Sequence, residues 1–189
     1  MVPTVISIAS PTSGCGKSTV AKYLQTYGFQ TVKFAGTLKA MLTVMLTDAG
    51  CSPAFIADAI DGDCKEVPIM AAGGKTARNL MTSLGTDWGR MEIKDSIWID
   101  MAIARAHRIF DRGNGQRIVF DDTRLPAEVD AIRRNFHNTM FLYIDREDAP
   151  DRGGPYEGLL PMEHADYVIK NNGSVGDLLR QIDKIIMHS

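Results

Sequence analysis

Residues 5–19 read Val5-Ile6-Ser7-Ile8-Ala9-Ser10-Pro11-Thr12-Ser13-Gly14-Cys15-Gly16-Lys17-Ser18-Thr19. An apolar run opens into a glycine-containing turn and then into a helix-forming stretch, the order that builds a cradle for polyphosphate. Gly14 and Gly16 can adopt backbone angles closed to residues with a Cβ, so successive N–H groups can turn inward toward phosphate oxygens. Lys17 adds a mobile ammonium and Ser18 a hydroxyl for Mg²⁺. The positive end of the helix dipole faces the anion, an effect worth about 0.3–2 kcal/mol. The stretch predicts a nucleotide triphosphate site within the loop, where Ser13, Gly14, Cys15, Gly16, Lys17, Ser18 and Thr19 stand together. The pattern G-x-x-x-x-G-K-[ST] asks for glycine at position 11, where the chain has Pro11. That position lies at the strand exit, ahead of the donors, where a rigid turn can serve. The plainer alternative is an ordinary glycine turn, and the strand and helix contexts on either side argue against it.

Working outward, Val20, Tyr23, Leu24 and Tyr27 form a helical stripe that packs the first helix on a sheet. A second strand is expected over 30–34, and Leu38, Met41, Leu42, Met45 and Leu46 form a helical stripe ended by Gly50. Residues 51–75 read as a short helix around Phe55, Ile56 and Ile60 followed by loop. Helical patterns follow over 76–84 and 96–110, and the break between them, Gly85-Thr86-Asp87-Trp88-Gly89-Arg90, reads as a functional loop. A strand over 117–120 leads to a helix with Pro126 in its first turn and Leu125, Val129, Ile132 and Phe136 on one face. A strand over 139–144, a surface loop over 145–161 and a short strand over 167–169 come next. Ser174 and Asp177 form a capping pair before a last helix with Val175, Leu179, Ile182 and Ile186 facing inward.

Alternating strands and helices with a phosphate loop after the first strand predict an α/β fold: a mostly parallel sheet with helices on both faces and ligands at the carboxyl ends of its strands. The whole chain, 1–189, is expected to form a single domain, with 36–96 as an excursion able to clamp a second substrate. With 189 residues, 44% of them hydrophobic, it can bury a full core. A net charge of −2 argues against a broad nucleic-acid footprint. No apolar run approaches the roughly 20 residues that span a bilayer, and no signal-peptide pattern is present, so a cytoplasmic location is expected. Cys15, Cys51 and Cys64 show neither disulfide nor zinc spacing, and thiols are the default. Cys15 reads as a small loop residue in preference to an oxidisable one. The four histidines give no helix-spaced ligand pair.

Phosphoryl transfer needs donor and acceptor phosphates held in line while charge is neutralised, so metal ligands and guanidinium groups carry more weight than a nucleophile. Asp121 or Asp122, at the end of an apolar strand, is placed to supply a carboxylate to the Mg²⁺ shell, with Asp122 slightly favoured. The alternative is that these acids cap the strand and the following helix. Arg78, Arg90 and Arg124 lie in separate segments expected near the ligand edge, where a planar guanidinium can donate two parallel bonds to phosphate. Trp88 is a candidate for stacking on a base, against the commoner fate of a buried aromatic. Gly73-Gly74-Lys75-Thr76 superficially repeats the first loop but lacks a strand before it. Trp98 and the methionines of 41–45 are open to two readings, core or the face of a homodimer.

With these residues in hand, the chain resembles the phage deoxynucleoside monophosphate kinases, members of the phosphate-loop kinase superfamily related in architecture to adenylate kinase. The likeness rests on Arg78, on Leu84-Gly85-Thr86-Asp87-Trp88-Gly89-Arg90, on Trp98, on Asp122-Thr123-Arg124-Leu125-Pro126-Ala127-Glu128, and on Ala165-Asp166 with Ile169, Asn171 and Gly173-Ser174. It implies transfer of the γ-phosphoryl group of ATP to a deoxynucleoside monophosphate, with Mg²⁺ required, and for a phage protein the host cytoplasm as location. Gly14, Gly16, Lys17, Ser18 and Thr19 would surround the ATP phosphates, and Arg78, Arg90 and Arg124, joined by Lys39, would surround the acceptor. The lid would be the loop 145–161, which carries Arg146 and Arg152 amid several acids. Rival readings are a phosphate-loop kinase of the phosphomevalonate or dephospho-coenzyme A type and a regulatory protein that binds ATP without transferring phosphate.

Overall fold

Strand β1 (Val5–Ala9) is buried over all five residues, as a strand flanked by other strands and covered on both faces has to be. The computed structural model describes residues 2–113, 115–149 and 158–188. After β1 come α1 (Lys17–Leu24), β2 (Phe29–Val32), α2 (Gly36–Asp48), α3 (Pro53–Asp61), the two-residue strands β3 (Pro68–Ile69) and β4 (Lys75–Thr76), and α4 (Ala77–Thr82). Then follow α5 (Ile97–Phe110), β5 (Arg117–Phe120), α6 (Pro126–Asn135), β6 (Thr139–Asp145), β7 (Tyr167–Lys170) and α7 (Val175–His188). These elements divide into two compact units, Met1–Lys33 with Ile103–Ser189 and Phe34–Ala102.

The first unit holds a five-stranded sheet in the order β2-β5-β1-β6-β7, with every neighbouring pair parallel. Side chains alternate across it with the period of two that a strand imposes. Ile6, Ile8, Val119, Leu142 and Ile144 pack with Val20 and Leu24 of α1 and Leu178, Ile182 and Ile186 of α7. Ala9, Phe141 and Tyr143 pack with Val129 of α6 and with Leu160. The expected parallel sheet with helices on both faces is what the chain builds. Tyr23 and Tyr27 donate hydrogen bonds of 2.7 and 2.6 Å to one oxygen of Asp183, joining α1 and its following turn to α7.

Some boundaries differ from the expectation. Strand β2 begins at Phe29, which pairs with Arg117, and ends before Lys33. The Ser174 and Asp177 pair does cap α7, with Asp177 accepting from the Ser174 N–H at 2.9 Å and hydroxyl at 2.6 Å. The inward stripe of α7 is carried by Leu178, Ile182 and Ile186, whereas Val175 is exposed.

In the second unit, Leu42 and Leu46 of α2 pack with Ile56, Ala59 and Ile60 of α3, Ile69 and Ala77. Met41 and Met45 are exposed. The Gly73 and Gly74 pair, both at positive φ, closes an antiparallel β3–β4 pair, so this segment is a hairpin and not the plain loop expected. The stretch read as a loop around Trp88 is helical. From α4 the chain passes into π-helical turns over Ser83–Ile93, with Lys94 N–H bonding the Gly89 carbonyl five residues back. Gly89, read as a breaker, makes room for Trp98, which is buried and donates its indole N–H to the Gly85 carbonyl at 2.7 Å. A Cβ on Gly89 would lie 2.4 Å from Trp98 Cζ2. Trp98 is thereby a core residue of this unit.

Overpacking of this kind costs about 1–3 kcal/mol. Gly89→Ala is expected to lower the midpoint of urea unfolding followed by far-ultraviolet circular dichroism, and an unchanged midpoint would show that the contact is not tight.

Candidate active site

Because β1 and β5 are neighbours in parallel register, with Ser7 opposite Phe120, the loop after Ala9 and the acids after Phe120 emerge at the same edge of the sheet. Gly14 and Gly16 have φ of 87° and 103°. An added Cβ on Gly16 would lie 2.8 Å from Asn171 Nδ2 and 3.1 Å from Leu178 Cδ2. Asn171, which follows β7 and is buried, donates from Nδ2 to the Cys15 carbonyl at 2.9 Å. The Cys15 side chain is fully buried in the core, which is the packing role and removes it from solvent oxidants. Lys17, the first residue of α1, reaches back over the loop to Ser10 Oγ and to the Thr12 carbonyl at 3.2 Å. Ser18 and Thr19 are exposed at the start of the helix, and Ser13 is half-buried. Pro11 sits within the opening turn, and a Cβ on Gly158 would lie 3.5 Å from its carbonyl oxygen.

Beyond β5, Asp121 is buried and lies 3.7 Å from Lys33 Nζ at the end of β2. Asp122 and Arg124 are half-buried, and Thr123 between them is buried with its hydroxyl 2.8 Å from Ser7 Oγ. Neither acid caps the next helix. The cap residue of α6 is Leu125, and the backbone donors there are met by Glu128, whose Oε2 accepts from Arg124 N–H at 2.7 Å and Leu125 N–H at 3.0 Å. Ser7, Glu128 and Asn171 are the residues of this edge to which sequence reasoning gave no role. The one polar residue inside an apolar strand and a Glu three residues after a helix start were the signals for the first two.

Burial pushes the Glu128 carboxyl up to about 7; the Arg124 N–H opposes this, the Asp122 carboxylate adds to it, and the Leu125 N–H and Arg124 charge oppose it. Arg146, just past β6, is exposed. Arg152 of the expected lid lies outside the described residues.

In the second unit Lys39, in the first turn of α2, pairs with Asp61 at the end of α3. The two helices enclose a groove of about 270 Å³ lined by Lys39, Thr43, Thr47, Pro53, Ile56 and Asp61 among others. Arg78 of α4 pairs with Glu66, and Arg90, on the π-helical stretch, lies 3.4 Å from Asp95 Oδ1. Trp88 is partly exposed, its ring 6.4 Å from that of Trp98. The three basic residues thus stand on three separate helical elements, each beside a different acid.

A cradle at a helix N-terminus with a lysine across it fits a polyphosphate. Farther along the chain, residues 63–182 match the deoxynucleotide monophosphate kinase family. The chain belongs to the deoxynucleotide monophosphate kinase family. Two solved structures share its fold. One is a cysteine-to-alanine mutant of the Mycobacterium tuberculosis APS kinase CysC, 12% identical over 100% of this chain and 99% of that one, with a TM-score of 0.51. The other is TT1252 from Thermus thermophilus, 20% identical over 100% and 98%, with a TM-score of 0.52. No curated protein matches the chain. Family and fold together make this deoxynucleotide monophosphate kinase family member a nucleotide kinase of the phosphate-loop type, a phosphotransferase for which ATP is the implied co-substrate. No helix among the described residues is long and apolar enough to cross a membrane.

A carboxyl raised above its ordinary value of 4.5 binds its proton more tightly in the folded chain. Glu128 therefore contributes stability that is complete below about pH 4.5 and is lost as pH rises through about 7, up to about 3 kcal/mol in all. Between about pH 5 and about pH 8.5 the urea midpoint of the wild type should fall relative to that of Glu128→Gln, which does not titrate. Parallel curves for the two proteins would contradict the assignment.

Proposed function

We propose that this kinase transfers the γ-phosphoryl group of ATP to the phosphate of a deoxynucleoside monophosphate, giving the diphosphate and ADP. The observation that carries the reading is the phosphate loop: Gly16 at a φ of 103°, with Lys17 reaching across the turn, in a chain of this family. In the reaction an oxygen of the acceptor phosphate attacks the γ phosphorus, and the bond from that phosphorus to the β,γ-bridging oxygen breaks. ADP leaves in line, and no covalent enzyme intermediate is formed.

The roles follow from chemistry. The N–H groups around Gly14, Cys15 and Gly16 cradle the phosphates, with Ser13 and Thr19 flanking them, and Lys17 follows the charge onto the leaving oxygen. Lys39, Arg78, Arg90 and Arg124 bind the acceptor phosphate and the migrating group, Asp122 helps to order the acceptor, and Trp88 offers a face to its base. Residues 36–96 form the acceptor-binding insertion of a single kinase domain, and 145–161 the lid, with Arg146 at its base. The donors available to a metal are hard oxygens, the Ser18 hydroxyl and the Asp121 and Asp122 carboxylates, and no cluster of three His, Cys, Asp or Glu suited to a metal occurs among the described residues. That set fits Mg²⁺, which is held by phosphates and one or two protein oxygens. When bound, Mg²⁺ neutralises charge on the β and γ phosphates. The reading puts the reaction in the cytoplasm, that of the host where the chain is phage-encoded.

A coupled assay of ADP release across the deoxy- and ribonucleoside monophosphates tests the reaction. ADP release should depend on at least one deoxynucleoside monophosphate, and release that none of them stimulates would refute the proposal. Lys17→Ala should cut turnover about a hundredfold or more, the scale of losing one charge-stabilising donor. Its thermal midpoint should stay close to that of the wild type, and near-full activity would defeat the role given to Lys17.

A further inference from the structure

The first four of the five residues between β5 and α6 alternate in burial: Asp121 and Thr123 are buried, Asp122 and Arg124 half-buried. Asp122 and Arg124 are thus the accessible pair of the segment, and Asp121 and Thr123 the covered pair. Two contacts hold that register. Thr123, 1% exposed, shares a hydrogen bond of 2.8 Å with Ser7, 2% exposed on β1. Glu128, 8% exposed, takes the N–H groups of both Arg124 and Leu125 on a single oxygen. Packing alone does not call for either. Ser7 interrupts the apolar run of β1, and a buried hydroxyl pair is close to neutral in stability against apolar residues of the same shape. A carboxylate buried beside Asp122 is a less stable cap than an exposed one.

We propose that Ser7, Thr123 and Glu128 are positioning residues that clamp the segment after β5 at its middle, through Thr123, and at its far end, through the Arg124 and Leu125 N–H groups, and so fix the direction in which Asp122 and Arg124 face the reacting phosphates. This rests on the phosphoryl-transfer reading. None of the three touches substrate. They act through Asp122 and Arg124, where a misplacement of about 1 Å costs on the order of a hundredfold in rate.

The test compares wild type with Ser7→Ala/Thr123→Val, Glu128→Ala and Glu128→Gln, measuring kcat and KM for ATP and for the best deoxynucleoside monophosphate, the thermal midpoint, and hydrogen exchange of the Arg124 and Leu125 amides. The double variant removes both hydroxyls and leaves no orphan. It and Glu128→Ala are expected to lose about tenfold to a hundredfold in kcat with the KM for ATP within about twofold of wild type. Glu128→Gln keeps an oxygen that accepts both N–H groups and should restore most of the rate and the slow exchange at Arg124 and Leu125. Unchanged kcat in the double variant and in Glu128→Ala overturns the proposal, as does a rate loss matched by an equal rise in KM for ATP and a fall in thermal midpoint. Should the wild type show no turnover that depends on a deoxynucleoside monophosphate, the kinase reading falls separately. The clamp is then judged on exchange: faster exchange at Arg124 and Leu125 in Glu128→Ala, reversed in Glu128→Gln, supports it, and unchanged exchange refutes it. If Glu128→Ala does not fold, Glu128→Gln and the double variant decide by the same criteria.

Discussion

The turn from β1 into α1 can follow its path only because residue 16 has no Cβ. At a φ of 103° the residue already lies where L side chains rarely go, and the Asn171 amide fills the position that a Cβ would take. That amide also holds the carbonyl of Cys15. Contact and conformation therefore enforce each other: the loop is open enough to turn its N–H groups inward, and it is held open from below by a residue more than 150 positions later in the chain. The anion site is a product of the whole sheet, since Asn171 is delivered by β7, the strand at the far edge from β2.

The fold was largely legible because its signals are local. Strand β1 announces itself as a continuous apolar run, the phosphate loop by residues whose backbone chemistry is distinctive, and the Ser174 and Asp177 cap by spacing. What was not legible depends on tertiary contacts. Gly85 and Gly89 look like breaks in a helix until their surroundings are seen: a Cβ on Gly85 would crowd Leu38 and one on Gly89 would meet the Trp98 ring, so the residues that admit these side chains are the ones that a propensity argument reads as loop. Val175 fits the α7 stripe by spacing, yet it is exposed, since only the packed partner decides which turn of a helix is covered.

At the candidate site the same division holds. Lysine, glycines and acids could be picked out by type, because phosphate chemistry limits the types that serve. The polar residues bonded to these segments could not. Ser7, Asn171 and Glu128 are ordinary polar residues in sequence, and their meaning lies in hydrogen bonds across 116, 156 and 4 positions. The short spacing of the last made Glu128 visible as a helix-start residue but gave no sign that it would be buried next to Asp122. The basic residues of the second unit each stand beside an acid, Asp61, Glu66 and Asp95, and those partners were not foreseeable from spacing.

Two phenols converge on one oxygen of Asp183, which burdens that carboxylate with two short bonds and raises both phenol pKa values. The joint ties the helix that begins with Lys17 to the last helix of the chain. Rotation of α1 about its axis, which would swing the lysine and its neighbouring hydroxyls away from the cradle, is resisted by a bolt near the opposite end of the polypeptide. Changes at Asp183 thus bear directly on how α1, and the Lys17 that begins it, is held.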